Sequence, residues 1–152
     1  MRTLRFSSML PVAYRDELER IVFFNPEQGR VTASLLDSVR RYGVPSIVED
    51  GSLLRFRVPA FGTIQSLFAL DESEQPVRLA GVVMFVRETA DTMRLLHVAI
   101  HEDYAGGGDR ADAWVTPRLM AAVWSACRRT RGITTLHLPY PREAQVRLQP
   151  AG

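Results

Sequence analysis

Residues 94–108 read RLLHVAIHEDYAGGG: an apolar run, a polar bend and three consecutive glycines. A short polar segment follows, and then an amphipathic stretch, 117–131, with helical spacing of its apolar residues. A strand that ends in a glycine loop close to a helix start presents backbone N–H groups to an anion such as phosphate. Glycine loops are also ordinary turns, so this feature by itself leaves both readings open.

Working outward, Thr116 is placed as N-cap, Pro117 as first helical residue and Gly132 just past the helix end. The chain then enters an apolar run at 134–138. Strand, long connection with a helix, strand is a crossover unit, which predicts that 94–100 and 134–138 run parallel. Upstream, 79–87 (LAGVVMFVR) is strand-like, and the short polar connection 88–92 predicts antiparallel pairing with 94–100. Further back come an apolar run at 64–70, followed by a charged loop at 71–75, and a hairpin in which 46–49 and 53–58 flank Asp50-Gly51. The first part of the chain reads as a strand at 4–9 and two helices, 12–24 and 30–41. The first carries Val12, Leu18, Ile21 and Val22 on its apolar face, and the second Val31, Leu35, Leu36 and Val39. The expected fold is α/β in the broad α+β sense: a mixed, mostly antiparallel central sheet with flanking helices, in a single domain spanning 1–152.

Composition narrows the function classes. With 46% hydrophobic and 24% charged residues in 152, the chain reads as globular rather than disordered. A net charge of +2 gives no electrostatic footprint for nucleic acid. No apolar run reaches the roughly 18 residues of a membrane span, and 1–10 lack a signal-peptide core. The expectation is a cytoplasmic protein. One cysteine, Cys127, cannot form an intrachain disulfide, and its helical position suits a small buried residue better than a nucleophile.

The run V-A-I-H-E-D-Y-A-G-G-G at 98–108 resembles the acyl-CoA-binding pattern of the GNAT N-acetyltransferases, L-x-V-x-P-x-Y-R-G-x-G. The likeness extends through the helix (LMAAVWSACRRTR), Gly132 and the strand ITTLHLPY, covering 79–140, and the order of elements agrees with it. The resemblance implies acetyl-CoA or another acyl-CoA as co-substrate and an unknown amine as acceptor. Val98 and Ile100 would contact the pantetheine arm; Ala105, Gly106, Gly107, Gly108, Asp109 and Arg110 would hold the phosphates. Three positions depart from the pattern. Ala105 replaces the usual Arg or Gln, Arg110 stands where a second small residue is expected, and 109–115 is an insertion between the glycines and the helix. Arg110 or Arg118 would supply the missing cation. After residue 140 only PREAQVRLQPAG remains. The resemblance therefore implies a shortened C-terminal part, an unpaired last strand and a homodimer formed through that edge.

Acyl transfer to an amine needs a base near the acceptor nitrogen. Glu88, Glu102 and Asp103 are the carboxylates at the strand ends, and Tyr140, closing the last strand, is the candidate acid; Glu102 and Tyr140 are the two catalytic candidates, although ordinary solvated charge is the commoner fate of such residues. His97, His101 and His137 raise a zinc reading. No HExxH-type motif accompanies them, and no metal is expected. Phe23, Phe24 and Trp114 are candidate exposed anchors. A non-catalytic GNAT-like module, working by partner binding or dimerisation, is the alternative to the enzyme.

Overall fold

The computed structural model describes residues 2–23, 38–138 and 144–149. Its elements are β1 (Leu4–Ser7), α1 (Arg15–Phe23), a helical stretch α2 described over 38–42, β2 (Ser46–Asp50), β3 (Leu53–Val58), β4 (Gly62–Asp71), β5 (Arg78–Arg87), β6 (Thr92–Ile100), α3 (Val115–Arg129), β7 (Thr135–Leu138) and β8 (Ala144–Arg147). Among the described residues the sheet has eight strands in the order β2-β3-β4-β5-β6-β7-β8, with β1 also on β4. All pairs are antiparallel except β6 with β7, as the crossover through α3 requires. The fold is α+β with an open, mixed, mostly antiparallel sheet. Among the described residues no helix is long and apolar enough to cross a membrane.

The sheet buries both faces. Leu18, Ile21 and Val22 of α1, at helical spacing, join Leu54, Phe56, Phe68, Val82, Met84 and Leu96 on one side. Val115, Leu119, Val123 and Cys127 of α3 join Val83, Phe85, Met93, Leu95 and Leu136 on the other. Strand β5 lies between both layers, which is why its sequence is a continuous apolar run rather than an alternation. Helix α1 carries Asp16 and Glu17 in its first turn and Arg20 in its last, matching the helix dipole.

Four expectations need correction. The first helix begins as a 3-10 turn at Val12–Tyr14, so Val12 stands exposed instead of on the apolar face. Helix α3 starts at Val115, with Trp114 in its cap position at φ 54° and ψ 46°, not with Thr116 capping and Pro117 first. Burial of Ala113 and Val115 against the α3-side core overrides the better local cap at Thr116. The hairpin loop is Gly51-Ser52, one residue later than expected, because Asp50 pairs with Leu53. Finally, β7 is not a bare edge: β8 pairs with it antiparallel, and Leu148 is buried beneath α3. The expected second helix at 30–41 lies largely outside the described residues.

Candidate functional site

The site is built from β6. Its pairing with β7 runs Thr92↔Thr135, Met93↔Leu136 and Arg94↔His137, and among the described residues goes no further, while β6 continues to Ile100. Among the described residues no strand pairs with 95–99 on the side turned away from β5. On the β5 side the register steps from Phe85↔Leu95 to Met84↔His97, so Leu96 is an extra residue, a β-bulge. A bulge bends the strand and re-aims the side chains beyond it. Strict alternation would place His97 with Met93 and Leu95 on the α3 face. The bulge instead puts Leu96 and His97 together on the α1 face, and returns Val98 and Ile100 to the α3 layer, where both are half-buried.

Beyond Ile100 the chain turns through a short 3-10 helix, Glu102–Tyr104, capped by the His101 ring, whose Nδ1 accepts the Asp103 amide at 3.0 Å. The glycine loop follows. Gly108 N–H donates to the Ala105 carbonyl at 2.9 Å, Arg110 N–H to Asp103 at 2.7 Å and Ala111 N–H to Gly108 at 3.2 Å. Among the described residues the amides of Gly106, Gly107 and Asp109 have no such acceptor, and these three residues are exposed. Gly108 is required for a different reason: a Cβ there would lie 2.5 Å from the carbonyl oxygens of both Glu102 and Asp103. The expected 109–115 insertion is a loop and a second 3-10 turn, Ala111–Ala113, standing between these amides and α3.

Under the loop lies an ion-pair network that the sequence did not reveal. Asp71, expected in a charged loop, is the last residue of β4 and its side chain is fully buried. It accepts from the Tyr104 hydroxyl at 2.7 Å, the Ser73 amide at 2.9 Å and Arg2 at 3.1 Å. Burial acts to raise its pKa, but these donors and the Arg2 charge outweigh it, and the carboxyl is held below its usual range. Tyr104 is pushed well above an ordinary phenol by burial and by Asp71. Arg110 donates to Glu74 and to Asp103, and Arg78 donates to Asp103 at 3.0 Å. These hydrogen bonds, with Arg110 first for Glu74 and Arg78 first for Asp103, hold both carboxyls low.

The expected roles therefore divide. Arg110 is bound to carboxylates, and Arg118 donates to the carbonyls of Arg2 at 3.0 Å and Ala113 at 3.2 Å. Glu102 is paired with Arg20 of α1, and Glu88 accepts from Arg94 at 2.7 Å. Tyr140 lies outside the described residues. His97, His101 and His137 do not converge: among the described residues no group of three His, Cys, Asp or Glu side chains is placed to hold a metal ion. Cys127 is fully buried and its thiol is pushed up to about 11 by that burial, which leaves it unreactive. Trp114 and Phe23 are exposed, as anchors would be.

His97 is the residue sequence reasoning undervalued. It is 4% exposed, its Nε2 has no hydrogen-bond partner among the described residues, and burial lowers its pKa to about 4, so the ring is neutral at pH 7. An orphaned buried polar atom costs about 1–3 kcal/mol and calls for an explanation. The ring lines a small cavity beside β6, walled by Val39, Pro45, Val58, Met84 and Leu96, with Ser38 at its side. The only signal in the sequence was a histidine inside an apolar strand. Comparison with family models, with curated proteins and with solved structures returned no match.

Proposed function

We propose that the chain is an acyl-CoA-dependent N-acyltransferase of the GNAT type, carrying acetyl or another acyl group from the coenzyme A thioester to an amine. One observation carries the reading: among the described residues β6 pairs with its parallel neighbour β7 only as far as Arg94, and then continues into a loop where the amides of Gly106, Gly107 and Asp109 are open. A free strand edge offers N–H and C=O groups to the amide-bearing pantetheine arm in the manner of an added strand. The amides of Gly106, Gly107 and Asp109 suit a pyrophosphate, since unpaired N–H groups carry partial positive charge. Beside the bulge, edge amides of β6 polarise the thioester carbonyl as the amine attacks it. Val98 and Ile100 flank that edge on the α3 side. The order of elements, two helices followed by a strand meander and the α3 crossover, is the order the resemblance calls for.

A second reading, a non-catalytic GNAT-like binding or dimerisation module, draws on a specific observation. Arg110, Glu102 and Glu88 are all engaged in ion pairs, and Arg118 donates to main-chain carbonyls. The loop then keeps amides but no uncommitted arginine, and Asp109 adds an anion beside them. A homodimer would belong to this reading, through a surface other than the covered edge of β7.

Titration calorimetry of acetyl-CoA and CoA separates the two. Gly108 is a poor test position because its replacement disrupts the loop itself. Gly107 faces open space at φ +88°, which Asn and Asp tolerate better than other residues. Micromolar binding is expected, little changed in Gly107→Asn and weakened by about tenfold or more in Gly107→Asp, where a carboxylate faces the phosphates. No binding at millimolar ligand by the folded protein overturns the transferase and leaves the module.

A further inference from the structure

The acyl-transfer reading, on which this inference rests, gives the glycine loop amides for the pyrophosphate and leaves the arginines beneath it engaged elsewhere. These engagements are not equivalent. Arg2 holds Asp71, whose side chain is fully buried, so its departure would strand a buried carboxylate. Arg118 donates to main-chain carbonyls, and Arg78 lies over the Tyr104 ring, 5.9 Å from its centre, while donating to Asp103. Arg110 differs in what it leaves behind. Its Nε donates to Glu74 Oε1, and the same oxygen accepts from Arg2 at 2.9 Å. Its Nη1 donates to Asp103 Oδ2 at 3.4 Å, and that oxygen accepts from Arg78 at the shorter distance of 3.0 Å. Each carboxylate that Arg110 serves therefore keeps a second arginine when Arg110 departs. The Arg110 and Glu74 side chains are each 23% exposed, so water reaches the pair and its separation costs little. Arg110 also directly follows Asp109, whose amide is one of the three open ones, and its own main chain is fixed by the bond to the Asp103 carbonyl. A turn of the side chain alone exchanges one partner for another.

We propose that Glu74 is an internal competitor for the anion that the loop binds. Before a ligand arrives it holds Arg110. A pyrophosphate seated on the amides of Gly106, Gly107 and Asp109 then takes Arg110 from it, leaving Glu74 to Arg2 and Asp103 to Arg78. The exchange favours pyrophosphate because it carries more charge than a carboxylate and offers the guanidinium more acceptor oxygens. The occupied loop thereby gains the cation that Ala105 does not supply. Glu74 also sets a threshold: a singly charged anion that fails to displace it is left with amides alone.

Titration calorimetry of CoA and of inorganic pyrophosphate into wild type, Glu74→Gln, Arg110→Gln and the double variant tests this. Glu74→Gln keeps an oxygen for Arg2 but loosens the hold on Arg110, and is expected to tighten both ligands about fivefold. Arg110→Gln is expected to weaken both about tenfold, and adding Glu74→Gln to it should restore little. If Glu74→Gln tightens binding equally with and without Arg110, the effect is one of bulk charge and the exchange is overturned. If CoA binds wild type and Glu74→Gln leaves its affinity unchanged or weaker, the network only supports the loop; the exchange is overturned and the transferase stands. If pyrophosphate follows the expected pattern while CoA and acetyl-CoA do not bind, the transferase falls and the exchange remains that of a phosphate-binding loop. Binding of no ligand to wild type or Glu74→Gln overturns both. Should the glutamine variants fail to fold, nitrogen-15 arginine labelling reads the exchange in native protein. The Nε resonance missing from Arg110→Lys is expected to shift as pyrophosphate binds, and a resonance that stays in place at saturation overturns the exchange.

Discussion

Asp71 and His97 are both polar, both buried, and both held in the sheet, at the end of β4 and on β6, yet their surroundings differ. Three donors reach the Asp71 carboxylate from Tyr104, Ser73 and Arg2, while the His97 Nε2 has no partner among the described residues. A fully satisfied buried network fixes one arrangement of the chain, and here it ties the glycine loop to β4 and to the N-terminal strand. A buried group left short of a partner is a cost the fold carries for some other reason. The first is architecture under the loop. The second is a polar atom set in a mostly apolar wall between β6 and the residues around Pro45.

The largest expected effect tests the closed network. Asp71→Ala removes a buried carboxylate and strands the Tyr104 hydroxyl, and is expected to destabilise the protein by about 3 kcal/mol. Tyr104→Phe, which removes one hydrogen bond to a charged acceptor, is expected to cost about 2 kcal/mol. Denaturant unfolding measures both, and a double-mutant cycle should show strong coupling between them. His97→Leu should behave in the opposite way, neutral or stabilising by about 1 kcal/mol at pH 7, because it removes an unsatisfied group and keeps the volume. Equal losses at the two sites would erase the distinction between them.

Acid sharpens the same contrast. Burial lowers His97 from 6.5 to about 4, so between those values the unfolded chain holds the extra proton. Stability from this group is complete above pH 6.5 and is lost as pH falls toward 4, a change of about 3 kcal/mol. His101, also lowered by burial against the opposing pull of Asp103, adds loss of the same sign below pH 6.5. Asp71 acts lower: its carboxyl is depressed, so its contribution is present above its unfolded value of 3.8 and disappears as pH falls through the folded one. Urea midpoints between pH 7 and 4 should therefore fall in wild type and fall clearly less in His97→Leu. A parallel decline in both would assign the acid sensitivity elsewhere.

What the sequence disclosed and what it hid follow from how each feature is encoded. The strands from 79 to 100, the α3 crossover and the parallel β6–β7 pair were legible because apolar period and connection length carry them. The bulge at Leu96 was not, since RLLHVAI holds no glycine or proline to mark it, and the facing of His97 depends on it. Asp71 was hidden in the acidic run DESE, where nothing local separates a strand's last residue from loop charge. Arg110 was readable as a cation near the glycines, but its partners, Glu74 and Asp103, come from a turn 36 residues away and from its own loop. Long-range pairing of charges leaves no periodic trace.

The last prediction carries the contrast to the backbone, where β8 closes the edge of β7 while among the described residues β7 pairs with β6 only as far as Arg94. Strand β8 covers β7 because Leu148 turns back beneath α3, 7% exposed, and its amide donates to the Thr134 carbonyl at 2.8 Å. Leu148→Ser removes most of that apolar burial and is expected to cost about 2 kcal/mol, read as a lowered urea midpoint. Deleting 144–149 goes further and uncovers the N–H and C=O groups of β7, a template for strand pairing between molecules. Light scattering should then show more self-association than in the full chain, whereas a dimer built on a bare β7 edge would have needed no such deletion. If the truncated protein stays as dispersed as the full chain, β8 is not what keeps that edge closed, and the asymmetry between β6 and β7 has another origin.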